Sequence, residues 1–191
     1  MAILSYNDIL QKKVIEYNGE PYKVLSSHIF RMQQRKPVNQ TKLQHLVSGK
    51  VIEISFHQNE SVPEADIETM DATYLYTNRG ESWFAEVGNP KNRFSFDENV
   101  VHDKVQWLKD NAEVEVLVYK EKPIMVSIPI KVDLKVTDAP PAVKGDTANG
   151  ATKIVTLESG ATVSTPLFIN EGDILRINTE EGVYVERMEK A

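Results

Sequence analysis

The feature that most restricts what this chain can fold into is a recurrence of short β-type runs, each closed by residues that turn the backbone sharply. Val14-Ile-Glu-Tyr17, the pair Asn18-Gly19, and Pro21-Tyr-Lys-Val-Leu25 read as one hairpin, because Asn-Gly supplies two positive φ angles at little steric cost. Lys42–Val47, Ser48-Gly49 and Val51–Phe56 read as another. Asn78-Arg79-Gly80, Gly88-Asn89-Pro90 and Glu121-Lys122-Pro123 punctuate further strand pairs. Two segments have helical character: Asn7–Leu10, one turn at most, and His102–Asn111, which carries Val105, Trp107 and Leu108 to one side. Strands this short and frequent predict an all-β chain of small barrels rather than one large sheet.

Two breaks divide the run of strands. Ser61-Val-Pro-Glu-Ala-Asp66 is polar, acidic and Pro-bearing, and a new strand, Ile130–Val136, starts after Ile128-Pro129. The expected modules are therefore 1–64, 65–128 and 129–191. Each is near the lower size limit for independent folding, so they are expected to support one another.

Charge is distributed unevenly. From Pro21 to Ile52 there is no acid, while Lys23, Arg31, Arg35, Lys36, Lys42 and Lys50 are cationic; the whole chain carries −6. A cationic end on an anionic body suits a protein that meets phosphate with one end only. Inside the basic segment, Arg31-Met-Gln-Gln-Arg-Lys-Pro-Val-Asn-Gln40 lies between the strand-like runs Tyr22–Phe30 and Val38–Val47. Hairpin tips usually carry Gly, Asn or Asp, whereas this one carries long polar side chains and a stiff Pro37. It reads either as a probe reaching into a partner or as a solvated tip that keeps a sheet edge soluble.

Several chemistries are set aside. With no cysteine there is no disulfide framework and no thiolate chemistry. Gly145-Asp-Thr-Ala-Asn-Gly150-Ala151-Thr152 has the glycine spacing of a phosphate-binding loop but lacks its lysine, and it leads into the strand-like Lys153–Leu157 instead of a helix. His28, His45, His57 and His102 show no metal-ligand spacing. No nucleophile elbow or carboxylate pair stands out, so neither catalysis nor a cofactor is expected. There is no apolar run of membrane-spanning length and no basic-then-apolar leader, and a cytoplasmic protein is expected.

Gly19-Glu-Pro-Tyr22, Thr41-Lys-Leu43, Tyr74-Leu-Tyr76, Lys144-Gly-Asp-Thr-Ala148 and Gly182-Val-Tyr-Val-Glu-Arg187 together resemble bacterial translation elongation factor P. The most specific stretch, Lys153, Ile154, Val155, Gly160, Val163, Pro166, Ile169 and Gly172, is similar to the family signature with Thr165 where valine is usual. The resemblance covers the whole chain. It implies an N-terminal SH3-like barrel and two OB-type barrels in an L that mimics tRNA. It also implies binding to the 70S ribosome between the peptidyl and exit sites, and relief of stalling at consecutive prolines. The acidic body then imitates nucleic acid while the basic tip meets it.

By position, the resemblance assigns Gln33, Gln34, Arg35 and Lys36 to the peptidyl-tRNA acceptor end. It assigns Arg31, Lys42, Tyr184 and Arg187 to tRNA and rRNA, and Gly145, Asp146, Thr147, Asn149 and Gly150 to the exit-site codon. Gln34 stands where other members carry a modified lysine or arginine. A primary amide is not an acceptor for either modification, so a loop-tip modification enzyme is not expected, and the cationic atoms have moved to Arg35 and Lys36. A monomer is expected, since the acidic body repels its own copies. Two alternatives stay open: a paralogue serving other stalling sequences, and a general RNA-binding barrel protein without the ribosomal task.

Overall fold

The structure, a computed structural model, describes residues 2–31, 36–141 and 152–191. It is built almost wholly of β-strands, with a single helix among the described residues. By packing, the chain separates into two units, Met1–Met70 with Val116–Met125, and Asp71–Glu115 with Val126–Ala191.

In the first unit, β1 (Ile3–Ser5) pairs with β6 (Ser61–Pro63), while β2 (Val14–Tyr17), β3 (Glu20–Phe30), β4 (Val38–His45) and β5 (Val51–His57) form an antiparallel meander. The β2–β3 turn is the expected Asn18-Gly19 pair, with φ of 52° and 83°. Alternation along these strands sends Leu4, Ile15, Val24, Leu43, Phe56 and Val62 into one core, the period-2 pattern of a half-buried sheet, and Ile9 joins them from the connection between β1 and β2. Asn7–Leu10 forms a turn rather than helix. The Ser5 hydroxyl bonds the Asn7 and Asp8 side chains there, a local competitor to helix.

β7 (Ile67–Asn78), β8 (Glu81–Glu86), β9 (Asn89–Asp97), β10 (Glu113–Tyr119) and β11 (Lys122–Ser127) form a sheet in the order β11-β10-β7-β8-β9. Phe84 is fully buried there, with Tyr74, Phe94 and Phe96 packed around it at centroid distances of 5.5–5.9 Å. The helix α1 runs over Glu98–Val105, not over His102–Asn111. Asp97 decides the difference: its carboxylate accepts from the Asn99 N–H at 2.9 Å and caps the helix, while Asn111, at φ 63°, is outside helical space. Trp107 and Leu108 are buried as expected, but beyond the helix end.

β12 (Lys131–Asp138), β13 (Thr152–Leu157), β14 (Thr162–Pro166), β15 (Ile174–Asn178) and β16 (Val183–Glu189) form the last sheet, in the order β14-β13-β12-β15-β16. Its core of Leu134, Val136, Val155, Leu157, Val163, Ile169, Leu175 and Ile177 is completed by Trp107. Thr165, the departure from the family signature, is fully buried, and its hydroxyl donates to the Lys153 carbonyl at 3.3 Å. That bond offsets the desolvation a valine would not incur.

The β10–β11 turn departs from expectation. The sequence reads Glu121-Lys122-Pro123 as the break, yet the turning residues are Lys120 and Glu121, with φ of 50° and 64° and no glycine. The turn is held from outside: Lys120 Nζ lies 2.9 Å from Glu16 Oε1, and the Tyr119 hydroxyl donates to Glu16 Oε2 at 2.6 Å. The Tyr119 bond first, then Lys120, lowers the Glu16 carboxyl below its ordinary pKa. Glu16→Ala should cost about 1–2 kcal/mol, the net value of the lost hydrogen bonds, read as a lower urea midpoint. An unchanged midpoint would show that the turn stands without its carboxylate.

Candidate nucleic-acid interface

The first unit presents its long hairpin, β3 and β4, as a rigid stem. Register runs Phe30↔Val38, Ile29↔Asn39, His28↔Gln40, Ser27↔Thr41 and Ser26↔Lys42, then shifts between Ser26 and Val24. Leu25 is the extra residue of a β-bulge, and it swaps which parity of β3 faces out. Lys23 therefore faces outward below the bulge, and Ser26, His28 and Phe30 do so above it. With Gln40, Gln44 and Lys42 of β4, and Ser55 and His57 of β5, Lys23, Ser26 and His28 line this face with hydrogen-bonding and cationic groups around the Phe30 ring. The pairing β4–β5 brings Glu53 opposite Lys42.

That ion pair, 3.2 Å long, joins side chains more than half exposed. Exposed pairs contribute about 0–1 kcal/mol and are screened by salt, so an incoming phosphate can take Lys42 at little cost. Lys23, Arg31, Lys36 and Lys42 are all exposed. The tip residues Gln33, Gln34 and Arg35 lie outside the described residues.

Beneath the stem sit two buried polar residues that sequence reasoning passed over. The Asn39 amide is fully buried and donates to the carbonyls of Tyr6 and Ile9 at 2.6 and 3.0 Å. Thr41, 1% exposed, donates to the Ile54 carbonyl at 3.0 Å. They tie the strand that leaves the tip to the N-terminal turn and to β5, so the stem cannot slip in register. Their signal in the sequence was alternation alone, which puts both on the inner face with Leu43.

The histidines are dispersed. His28 and His57 are exposed on strands, His102 is exposed on α1, and the His45 ring accepts the Ser48 N–H at 3.0 Å in the β4–β5 turn. No group of three metal-ligating side chains occurs among the described residues. Gly145, Asp146, Thr147, Asn149 and Gly150, expected at the exit-site codon, lie outside the described residues, and a strand, β13, follows them at Thr152.

In the second unit, the structure gives Tyr184 and Arg187 packing partners. Tyr184 is half-buried and packs against the core that holds Trp107. Arg187 pairs with Asp173 at 3.2 Å and lies 5.2 Å from the centroid of the Phe168 ring. Asp173 is fully buried and accepts also from the Asn170 and Ala191 N–H groups, each at 2.9 Å. It is the carboxylate that sequence reasoning missed.

Three family descriptions match the chain in series. Residues 5–62 match "Elongation factor P (EF-P) KOW-like domain", 67–126 "Elongation factor P (EF-P) OB domain" and 132–187 "Elongation factor P, C-terminal". The chain is 35% identical over 188 residues to Elongation factor P of Thermodesulfovibrio yellowstonii, covering 98% of this chain and all of that relative. It is 36% identical over 186 residues to Elongation factor P of Carboxydothermus hydrogenoformans, covering 97% of this chain and all of that one. Among solved structures, a eukaryotic translation initiation factor 5A from Methanococcus jannaschii matches 66% of this chain and 92% of its own, with a TM-score of 0.55 and 8% identity. That last likeness is one of fold, and with the domain matches it accords with an all-β fold of three small barrels.

Proposed function

The chain belongs to the elongation factor P family, and from that footing we propose that it acts as a translation elongation factor on the 70S ribosome. It binds between the peptidyl and exit sites and relieves stalling at consecutive prolines by positioning the peptidyl-tRNA acceptor end. It organises as modules 1–64, 65–128 and 129–191. Gln33, Gln34, Arg35 and Lys36 meet the acceptor end. Arg31, Lys42, Tyr184 and Arg187 meet tRNA and rRNA, and residues 145–150 meet the exit-site codon. The protein works in the cytoplasm as a monomer and is not itself an enzyme. Peptide transfer stays the ribosome's own reaction, and the factor lowers its barrier by holding one reactant in line, which converts lost orientational freedom into rate.

The observation that carries this reading is the acid-poor outer face of the β3–β4–β5 sheet, with Lys23 and Lys42 set above the buried anchors Asn39 and Thr41. A rigid stem spends little entropy on docking. The test is translation of a template with consecutive proline codons, in which the purified protein should restore full-length product and a template without them should be unaffected. The tip residue Gln34 also favours a narrower reading, a family member serving a particular range of stalling sequences. Ribosome profiling after deletion would show that range as the codon runs at which pauses appear.

Association should depend on salt, because phosphate contacts release counterions. Lys42→Glu should weaken sedimentation with ribosomes roughly tenfold, the order of one charged hydrogen bond. Its melting midpoint should stay near the parent's. Parental binding by this variant would remove the sheet face from the interface.

A further inference from the structure

Phe168 is one of the large apolar side chains left exposed among the described residues. It is 56% exposed, in the connection between β14 and β15, next to the fully buried Ile169. The Asn170 side-chain amide donates to the Phe168 carbonyl at 3.3 Å, the Asn170 N–H donates to Asp173 at 2.9 Å, and the Ile169 N–H donates to the Pro166 carbonyl at 3.3 Å. The ring is therefore displayed from a backbone that is pinned on both sides. The Arg187 guanidinium, 28% exposed, lies 5.2 Å from its centroid and is tethered to Asp173 through one nitrogen, Nη1.

We infer that Phe168 and Arg187 form a single shelf for one unpaired nucleotide of RNA, the ring stacking its base and the guanidinium meeting its phosphate. Three physical points support that occupant. An exposed aromatic ring stacks any base through its π-face. The guanidinium 5.2 Å from the ring centroid adds a planar cation beside the stacking surface, within reach of a nucleotide's phosphate. The Asp173 tether also fixes the cation in advance, so little rotamer entropy is lost when it engages. The carboxylate alone suffices to hold Arg187 in place, and the ring beside it is still 56% exposed. The inference rests on the ribosomal reading above and extends it to a residue that the reading does not use.

The test uses the full chain with ribosomes that hold peptidyl-tRNA stalled on proline codons and an empty exit site. Phe168→Leu should bind roughly tenfold more weakly or worse, the size of one base stacked on an aromatic ring. Phe168→Trp should bind like the parent. Chemical probing should find a nucleotide protected by the parent and by Phe168→Trp but reactive again with Phe168→Leu. The ring is exposed, so all three proteins should melt together.

Parental affinity for Phe168→Leu, alongside weak binding by Lys42→Glu, would overturn the shelf and leave the ribosomal reading standing. Failure of the parent itself to bind these ribosomes would overturn both. Weaker binding by Phe168→Leu with no nucleotide re-exposed would assign the ring to a protein neighbour and overturn the nucleotide.

Discussion

Asp173→Ala should lower the stability of the second unit by about 3 kcal/mol, the lower end of what breaking a buried ion pair costs. The carboxylate is fully buried and serves three donors: the N–H groups of Asn170 and Ala191 and the Arg187 guanidinium. Removing it leaves two backbone donors and a part-buried cation without their acceptor. Acid should act on the parent at the same place. Burial is the largest influence on the Asp173 carboxyl and raises its pKa, but the two backbone bonds and Arg187 together outweigh it, so the net direction is down. With a folded pKa below the unfolded one, the stabilisation is complete above the ordinary carboxylate range. It is lost as pH falls through the folded value. Urea midpoints of parent and Asp173→Asn, followed from neutral pH into acid, should therefore converge. Parallel curves would mean that Asp173 does not carry the acid sensitivity.

The loop tip carries the second large effect. Under the proposed function Gln34 meets the acceptor end, where an amide can both donate and accept. It brings no charge, so Arg35 and Lys36 are expected to supply it. Gln34→Ala should cost about 0.5–1.5 kcal/mol of ribosomal affinity in the stalled complex, one neutral hydrogen bond. Arg35→Ala with Lys36→Ala should cost more, since charged bonds run at about 1.5–3 kcal/mol each. The triple variant should fail to restore read-through of consecutive proline codons. Full rescue by it would mean that the tip only keeps the hairpin soluble. The intact mass of the protein from its native host should equal that of the bare chain, and added mass on Lys36 would contradict an unmodified tip.

Local rules carried the fold a long way. Asn18-Gly19 and the alternation of Val51–Phe56 declared their hairpin and strand because turn chemistry and period-2 burial act over a few residues. The Lys120-Glu121 turn was read one residue late for the opposite reason. No residue in it favours positive φ, and what holds it is Glu16, far away in sequence. Distance also hid Asp173, an ordinary acid beside a glycine until the fold brings Arg187 and Ala191 to it. Asn39 looked like part of the loop. Its amide binds Tyr6 and Ile9, which a reading along one hairpin cannot reach. At the candidate interface, the cationic run and the stem were legible. The β-bulge at Leu25, which decides the outward residues of β3, was not.

Trp107 has a consequence for the order in which the chain can be finished during its own synthesis. The indole belongs to the segment after α1, yet its burial depends on strands between Leu134 and Ile177, with Gly182 3.4 Å from its ring through a would-be Cβ. Synthesis is vectorial, at roughly 5–20 residues per second. The nascent chain must therefore carry a bare indole for several seconds before its cover emerges. In that interval the half-made protein displays an adhesive surface that the finished one lacks, and a premature stop between Trp107 and β15 would make the display permanent.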